Sequence, residues 1–228
     1  MKIQCKRCQH DCKKSGRQVN GTQKYRCKSC GLYQQNQYVY SACKREVHDQ
    51  FSRMNRLGCG TNKMASFLQI SINTLQKWVG KALILEPDYE FTPGGVYDID
   101  EIQTCVGDKG NKVWIAYGWH IEKHTAVALH IGRRRSEDLE RVTFKVVNLF
   151  PSKVNTDNYA AYPNLLKGIV HRKGKRKANH IEREHVNLRK DIANLIQKTI
   201  CFAKNVRMLE ARIRWYFWAE TNPYFFLN

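Results

Sequence analysis

The sequence predicts an α/β domain, a mixed sheet flanked by helices, preceded by a small cysteine-rich unit and an all-α unit. Three observations predict it. Seven of the nine cysteines lie in the first 60 residues, and apolar residues recur at helical spacing over 44–85. From Val96 onwards, strand-like alternation gives way to alternating helix and strand. The 228 residues have room for one medium domain plus one or two small ones, at about 100–200 residues per domain. The expected boundaries are 1–43, 44–85, a Pro- and Gly-containing linker over 86–95, and 96–228.

The 39 Lys and Arg against 20 Asp and Glu give a net charge of +19. A charge that far from zero favours a polyanion, either nucleic acid or an anionic membrane surface. No apolar run reaches the roughly 20 residues that span a bilayer, and MKIQCKRCQH lacks the apolar core of a signal peptide. The expectation is therefore a soluble, cytoplasmic, nucleoid-associated protein with no membrane partner. With 42% hydrophobic residues the chain is not a disordered basic tail.

In the first segment, Cys5-Lys-Arg-Cys8 and Cys27-Lys-Ser-Cys30 are C-x-x-C pairs separated by 18 residues. Such turns place two thiolates each within reach of a tetrahedral Zn²⁺, at about 2.3 Å from sulfur. A unit with so little apolar core would draw much of its folding energy from the metal. Residues 1–43 thus read as a zinc ribbon with Cys5, Cys8, Cys27 and Cys30 as ligands. Cys12 is the competing ligand; Cys12, Cys43 and Cys59 read as ordinary small side chains, and His10 as a surface residue.

In the second segment, Val47, Phe51, Met54 and Leu57, then Met64, Phe67 and Leu68, then Ile72, Leu75, Trp78, Val79 and Leu83 mark three helices. Gly58-Cys59-Gly60 ends the first helix. Thr61 can cap the second, and Ser71 or Asn73 the third. A short helix, a tight turn at Gln69–Ser71 and a further helix form a helix-turn-helix, whose later helix enters the major groove. Its outward residues Asn73, Thr74, Gln76, Lys77 and Lys81 suit base edges and phosphates.

In the third segment, 96–104 alternates like a strand with Asp98 and Asp100 on one face, and 113–121 and 125–132 read as the next two strands. A helix with the stripe Leu139, Val142, Val146, Val147 and Phe150 follows, then a short strand, 153–157, ending in Asp157. A second helix from Asn158 to before Gly168, a fifth strand at 169–171, a basic loop over 172–177 and a long helix from near Ile181 complete the order. Helical spacing of Ile192, Leu195, Ile196, Ile200, Val206 and Leu209 suggests core packing.

Three strands in a meander and then alternating helix and strand is the order of a ribonuclease H-like domain. That architecture carries one carboxylate mid-strand one, a second at the end of strand four and a third on a later helix. Asp100, Asp157 and Glu182 occupy those places. Phosphoryl transfer without a protein nucleophile uses two divalent ions about 3.5–4 Å apart, held by hard oxygen ligands. Mg²⁺ or Mn²⁺ would serve. Asp98 and Glu101 are rivals to Asp100. Glu184 is the rival to Glu182, but turns about 100° per residue away from it. Tyr159 and Tyr162 read as packing residues rather than covalent nucleophiles.

IEREHVNLRK (181–190) and QKTICFAKN (197–205) resemble the C-terminal signature of the IS-one family of bacterial insertion-sequence transposases. YDIDEIQT resembles that family's first-aspartate strand and NTDNYAAY (155–162) its second-aspartate segment. The resemblance, extended by the N-terminal ribbon and helix-turn-helix, covers nearly the whole chain. It implies a DDE transposase with catalytic Asp100, Asp157 and Glu182, 24 residues separating the last two. Such enzymes commonly carry a basic residue seven positions beyond the glutamate, here Arg189, two helical turns on and on the same face. Many family members arise by frameshifting that joins a DNA-binding frame to a catalytic frame, and this chain resembles the fused form.

The activity implied is recognition of terminal inverted repeats, strand cleavage by water and attack of the freed 3′ hydroxyl on target DNA. The partners would be element ends and target DNA, both double-stranded, with a homo-oligomer assembled on them. The runs Arg133, Arg134, Arg135 and Arg172, Lys173, Lys175, Arg176, Lys177 would contact phosphates. The competing readings are a non-catalytic repressor using residues 1–85 and an inactive copy. The aromatic tail RWYFWAETNPYFFLN is not among the segments that carry the resemblance.

Overall fold

The computed structural model describes residues 3–35, 40–87, 90–174, 179–195 and 203–219. The chain divides into two compact units, residues 1–49 and 50–228.

The first unit is built on an antiparallel sheet of β1 (Ile3–Gln4), β2 (Asp11–Arg17), β3 (Gln23–Cys27) and β4 (Tyr33–Gln35), in that spatial order. Two cysteine-bearing turns close the β1–β2 and β3–β4 connections. Gln9 and Gly31 take left-handed φ values of 61° and 72°, which let each turn fold back. Buried Gln34 ties the halves together: its amide donates to the Gln4 carbonyl (2.7 Å) and its oxygen accepts from the Lys6 N–H (2.9 Å).

Helix α1 (Arg45–Arg56) contains the division between the units; α2 (Thr61–Leu68) and α3 (Ile72–Lys81) follow it. Ser71 caps α3 by accepting from the Thr74 N–H, whereas α2 starts from Gly60 with Thr61 as its first helical residue. Thr61 therefore does not cap α2; its hydroxyl accepts from Arg212 Nη2 instead. Gln69 adopts φ 52° and turns the chain between the two helices. Met64, Leu68, Leu75, Trp78 and Val79 are buried, while Leu57, Phe67 and Ile72, also part of the apolar pattern, face outward.

The second sheet runs β7-β6-β5-β8-β9: β5 (Val96–Cys105), β6 (Lys112–His120) and β7 (Thr125–Gly132) are antiparallel neighbours. Next to β5, β8 (Lys153–Thr156) and then β9 (His171–Lys173) run parallel. Helix α4 (Ser136–Val147) and the single turn α5 (Tyr162–Leu165) cover one face. There Tyr97, Ile99, Ala116, Val142, Val146 and Tyr162 form the core. A methyl group on Gly118 would lie 2.5 Å from Val146 Cγ2, so α4 sits against bare backbone at that point of β6. Helices α6 (Asn179–Asp191) and α7 (Val206–Trp218) pack on β5 and β7 respectively. This mixed five-stranded sheet flanked by helices fits a ribonuclease H-like fold.

Three expectations from sequence shift. Helix α4 ends at Val147, and Phe150 is 71% exposed in a left-handed turn instead of extending the stripe. Only Tyr162–Leu165 of the expected second helix is helical, because the Asp157 carboxylate captures the Tyr159 N–H (2.8 Å) and holds the chain in a turn. Pro163 then sits at the helix start, where its missing N–H costs nothing. The fifth strand falls at His171–Lys173, so Arg172 and Lys173 belong to an edge strand rather than a loop.

Within the second unit, helix α7 joins Phe51 and helices α2 and α3 to the larger sheet. Phe51 meets Trp215 edge-on (4.9 Å) and Trp78 at 5.2 Å. Arg214 donates to the Leu85 carbonyl (2.7 Å), and Trp218 Nε1 donates to the Ala126 carbonyl of β7 (2.7 Å). The buried Trp215 and Trp218 give the start of the aromatic tail a structural role; 220–228 lie outside the described residues. Leu195, Ile192 and Leu209 are buried as expected, while Ile196 and Ile200 also lie outside. No helix among the described residues is long and apolar enough to cross a membrane.

Candidate active site and metal centres

The pairing of β5 with β8 ends at Ile99–Thr156. Beyond that row β5 continues with Asp100 and Glu101, and the chain leaving β8 supplies Asp157. Carboxylate oxygens of Asp100, Glu101 and Asp157 lie within 4.8 Å of one another. Parallel strands commonly open a binding crevice at their carboxyl ends, and the cluster lies at the end of β8. Hard oxygen donors at this spacing suit a divalent cation.

Burial pushes the Asp100 carboxyl up to about 7; a hydrogen bond from the Glu101 N–H opposes this, and the charges of Glu101, Asp157 and Glu182 add to it. A cation bound at Asp100 would favour its ionised form against that burial. Glu101 is buried. It accepts from the Tyr162 hydroxyl (2.8 Å) and pairs with Arg134 Nη2 (3.2 Å). The same nitrogen lies 3.3 Å from Asp157 Oδ2.

Asp98, the other rival in β5, is fully buried and outside this cluster. Burial raises its carboxyl, and Asn155 Nδ2 donates to one of its oxygens (2.8 Å). Tyr117 donates from its hydroxyl to the Ile181 carbonyl (3.5 Å). That bond ties the first turn of α6 to β6, where Glu182 is exposed beside buried Ile181. Glu184 points elsewhere: Asn187 donates to it (3.0 Å) and Tyr216 of α7 is its other polar neighbour.

His185 was not singled out by sequence reasoning, although its position three residues beyond Glu182 was a signal for the same helix face. Its Nδ1 lies 3.9 Å from Asp100 Oδ2, and burial with the nearby Arg189 charge lowers it to about 4, leaving a neutral imidazole at pH 7. Arg189 is itself exposed on α6. Arg133 and Arg135 are exposed, whereas Arg134 lies inside the acidic cluster. Arg172 and Lys173 are exposed on β9; Lys175, Arg176 and Lys177 lie outside the described residues. On α3, Asn73, Gln76, Lys77 and Lys81 are exposed, and the Thr74 hydroxyl is 2.8 Å from that of Ser71.

The four expected cysteines also converge. Cys5, Cys8, Cys27 and Cys30 place their sulfurs within 4.8 Å of one another, with Cys5–Cys30 and Cys8–Cys27 at 3.5 Å. A tetrahedral Zn²⁺ would set sulfurs about 3.8 Å apart, so the cluster is compatible with a zinc ribbon. Turn N–H groups lower the Cys5, Cys8 and Cys27 thiols, led by those of Cys8, His10 and Cys30 respectively. The Leu32 N–H would lower Cys30 too, but burial and the three neighbouring sulfurs outweigh it and push Cys30 up to about 12. Four thiolates therefore call for a cation at their centre. Cys12 and His10 stand outside the group, and the His10 ring bonds to the Cys8 carbonyl (2.8 Å).

A family profile described as IS1 transposase matches residues 96–222. The chain is 34% identical over 112 residues to the insertion element IS1 protein InsB of Shigella flexneri, spanning 49% of this chain and 85% of that protein. The corresponding protein of Shigella sonnei is 32% identical over the same shares. An Escherichia coli strain K12 InsB is 32% identical, with 66% of its length covered. Among solved structures, a simian T-cell lymphotropic virus intasome in complex with PP2A regulatory subunit B56 gamma is similar over 76% of this chain and 67% of that one. At a TM-score of 0.39 and 12% identity, that likeness bears on nothing further.

Proposed function

The chain belongs to the IS1 transposase family, and from that premise we propose a metal-dependent enzyme that cuts element ends and joins them to target DNA through Asp100, Asp157 and Glu182. The carrying observation is the meeting of Asp100 and Asp157 at the end of β8; Glu182 stands outside that group, on the first turn of α6, and its role rests on the family resemblance. When bound by these three carboxylates, Mg²⁺ or Mn²⁺ would activate the attacking oxygen and stabilise the leaving 3′ oxygen.

The remaining roles fall to the chain itself. Tyr117 holds the first turn of α6, and so the backbone that carries Glu182. Neutral His185 packs beside Asp100 without adding positive charge, while Arg189 lies further along the helix for a phosphate. Exposed Arg133, Arg135, Arg172 and Lys173, with Lys175, Arg176 and Lys177, would line the DNA path.

Helices α2 and α3 serve as a helix-turn-helix that presents Asn73, Gln76, Lys77 and Lys81 to the inverted repeats, with Thr74 supporting the turn. The zinc ribbon adds a second DNA contact, and the active species is a homo-oligomer on DNA. A repressor confined to residues 1–85 fits poorly, because Phe51 and Trp78 complete their core against α7.

The test is strand transfer by the purified chain with Mg²⁺ and a labelled duplex carrying the element's end. Asp157→Ala and Glu182→Ala should bind the duplex as wild type does and join no DNA. Joining by either variant at the wild-type rate would remove that residue from the triad.

A further inference from the structure

The acidic cluster carries a cation of its own, and the fold is built to hold it there. Arg134 follows β7 with φ 63°, a conformation uncommon for a residue with a side chain. Both of its neighbours are fixed by one carboxylate: Asp138 Oδ2 accepts from the N–H of Arg133 (2.8 Å) and of Arg135 (3.1 Å). The other oxygen of Asp138 is paired with His130 Nε2 (3.0 Å). The guanidinium is sandwiched, its carbon 4.4 Å from the centroid of Trp114 and 4.1 Å from that of Tyr159. The Tyr159 hydroxyl returns a hydrogen bond to the Arg134 carbonyl (3.2 Å). One nitrogen, Nη2, then bridges Glu101 Oε2 and Asp157 Oδ2.

The two acids it bridges differ. Glu101 is buried, with its second oxygen taken by the Tyr162 hydroxyl. Asp157 is more exposed and stands beside Asp100. A surface arginine waiting for DNA would not be stacked between two rings and bonded to two carboxylates.

We propose that Arg134 is a positioning residue: a built-in counter-ion, anchored on Glu101, that orients Asp157 and competes with the divalent cation for it. Glu101 is then the anchor of the guanidinium rather than a metal ligand. The proposal rests on the reading of Asp157 as a metal ligand. A fixed positive charge within hydrogen-bond distance of a ligand oxygen repels an incoming cation, so the site binds metal less tightly than its carboxylates alone would. Once substrate is present, the same charge favours a phosphate oxygen arriving at the crevice.

The experiment is direct metal binding by the full, zinc-saturated chain without DNA: Mn²⁺ is titrated in and the free ion followed by its paramagnetic resonance signal. Arg134→Gln removes the charge and should tighten Mn²⁺ binding by about tenfold or more. Arg134→Lys keeps a charge that cannot be sandwiched or bridge in the same way, and should fall between wild type and Arg134→Gln. Simple structural damage would weaken binding, so a gain in affinity marks the counter-ion role.

Unchanged or weaker binding in a cooperatively melting Arg134→Gln overturns the proposal. Should that variant not fold, the same outcome in Arg134→Lys overturns it. Asp157→Ala separates the premise: if it leaves Mn²⁺ binding intact, the reading of Asp157 fails. If it abolishes binding while the Arg134 variants do not tighten it, only the counter-ion proposal fails.

Discussion

Replacing Gly132 with alanine would test how the loop after β7 is held. A methyl group at residue 132 would lie 2.3 Å from the Asp138 carboxyl carbon and 2.4 and 2.6 Å from its oxygens. Gly132 lies in a strand, so alanine suits its backbone, and the three nearest atoms all belong to that side chain. Asp138 is short and can rotate away, so the cost is the set of bonds it abandons. These are the bonds to Arg133 N–H, Arg135 N–H and His130, at 2.8, 3.1 and 3.0 Å. Bonds to an ionised carboxylate contribute roughly 1.5–3 kcal/mol each when protected, and water would replace part of that at this half-open site. A net loss of about 2–3 kcal/mol is expected in urea unfolding at pH 7.5.

The pH dependence has a definite sign. Burial alone would raise the Asp138 carboxyl, but His130 and the N–H groups of Arg135 and Arg133 outweigh it and hold it below the usual 3.8. Its stabilisation is present above the unfolded value and lost as pH falls through the lowered folded one. The gap between wild type and Gly132→Ala should therefore narrow in acid. The decisive comparison is a double-mutant cycle: in an Asp138→Ala background the extra methyl meets no carboxylate, and Gly132→Ala should cost less than about 0.5 kcal/mol. An equal cost in both backgrounds would refute the reasoning.

In Mg²⁺-free buffer, Asp100→Asn should be more stable than wild type at pH 8. Folding raises the Asp100 carboxyl from 3.8 to about 7, so stability is lost as pH rises through that window. The gain is at most about 4 kcal/mol and should vanish below pH ~4 in urea titrations. Cys30→Ser should release zinc, measured by elemental analysis, while unfolding of residues 50–228 stays unchanged. Trp215→Ala, which empties a fully buried site against Phe51, should lower thermal stability by about 3–5 kcal/mol, read by calorimetry.

The parts of the fold most legible in the sequence were those whose signal is local. Strand β5 announces itself by alternation, and the cysteine pairs by their spacing, because each pattern is imposed by the geometry of a few adjacent residues. Helix α5 was misplaced where a side chain, Asp157, took a backbone N–H that a helix would have used. Asp100 and Asp157 were legible as acids in order along a scaffold, whereas Glu101 looked only like a rival to its neighbour. Its partners Arg134 and Tyr162 come from 33 and 61 residues away. The three consecutive arginines 133–135 look alike in sequence; the Asp138 clamp and the two flanking rings set the middle one apart, and those contacts are tertiary. The same holds for Trp215 and Trp218, whose partners cannot be inferred from spacing along one helix.

Helix α7 has a consequence for how the polypeptide acquires its shape during synthesis. Arg212 bonds to Thr61 across 151 positions and Arg214 to Leu85 across 129, so the helices made early are completed by nearly the last described segment to be made. At about 5–20 residues per second, the apolar face around Phe51 and Trp78 waits roughly 7–30 s on the ribosome for its cover. Contacts this distant in sequence also slow the final closure, because the loop entropy must be spent before they form. A ribosome that stops in the middle of the message would thus release a chain with that face open to solvent and to proteases.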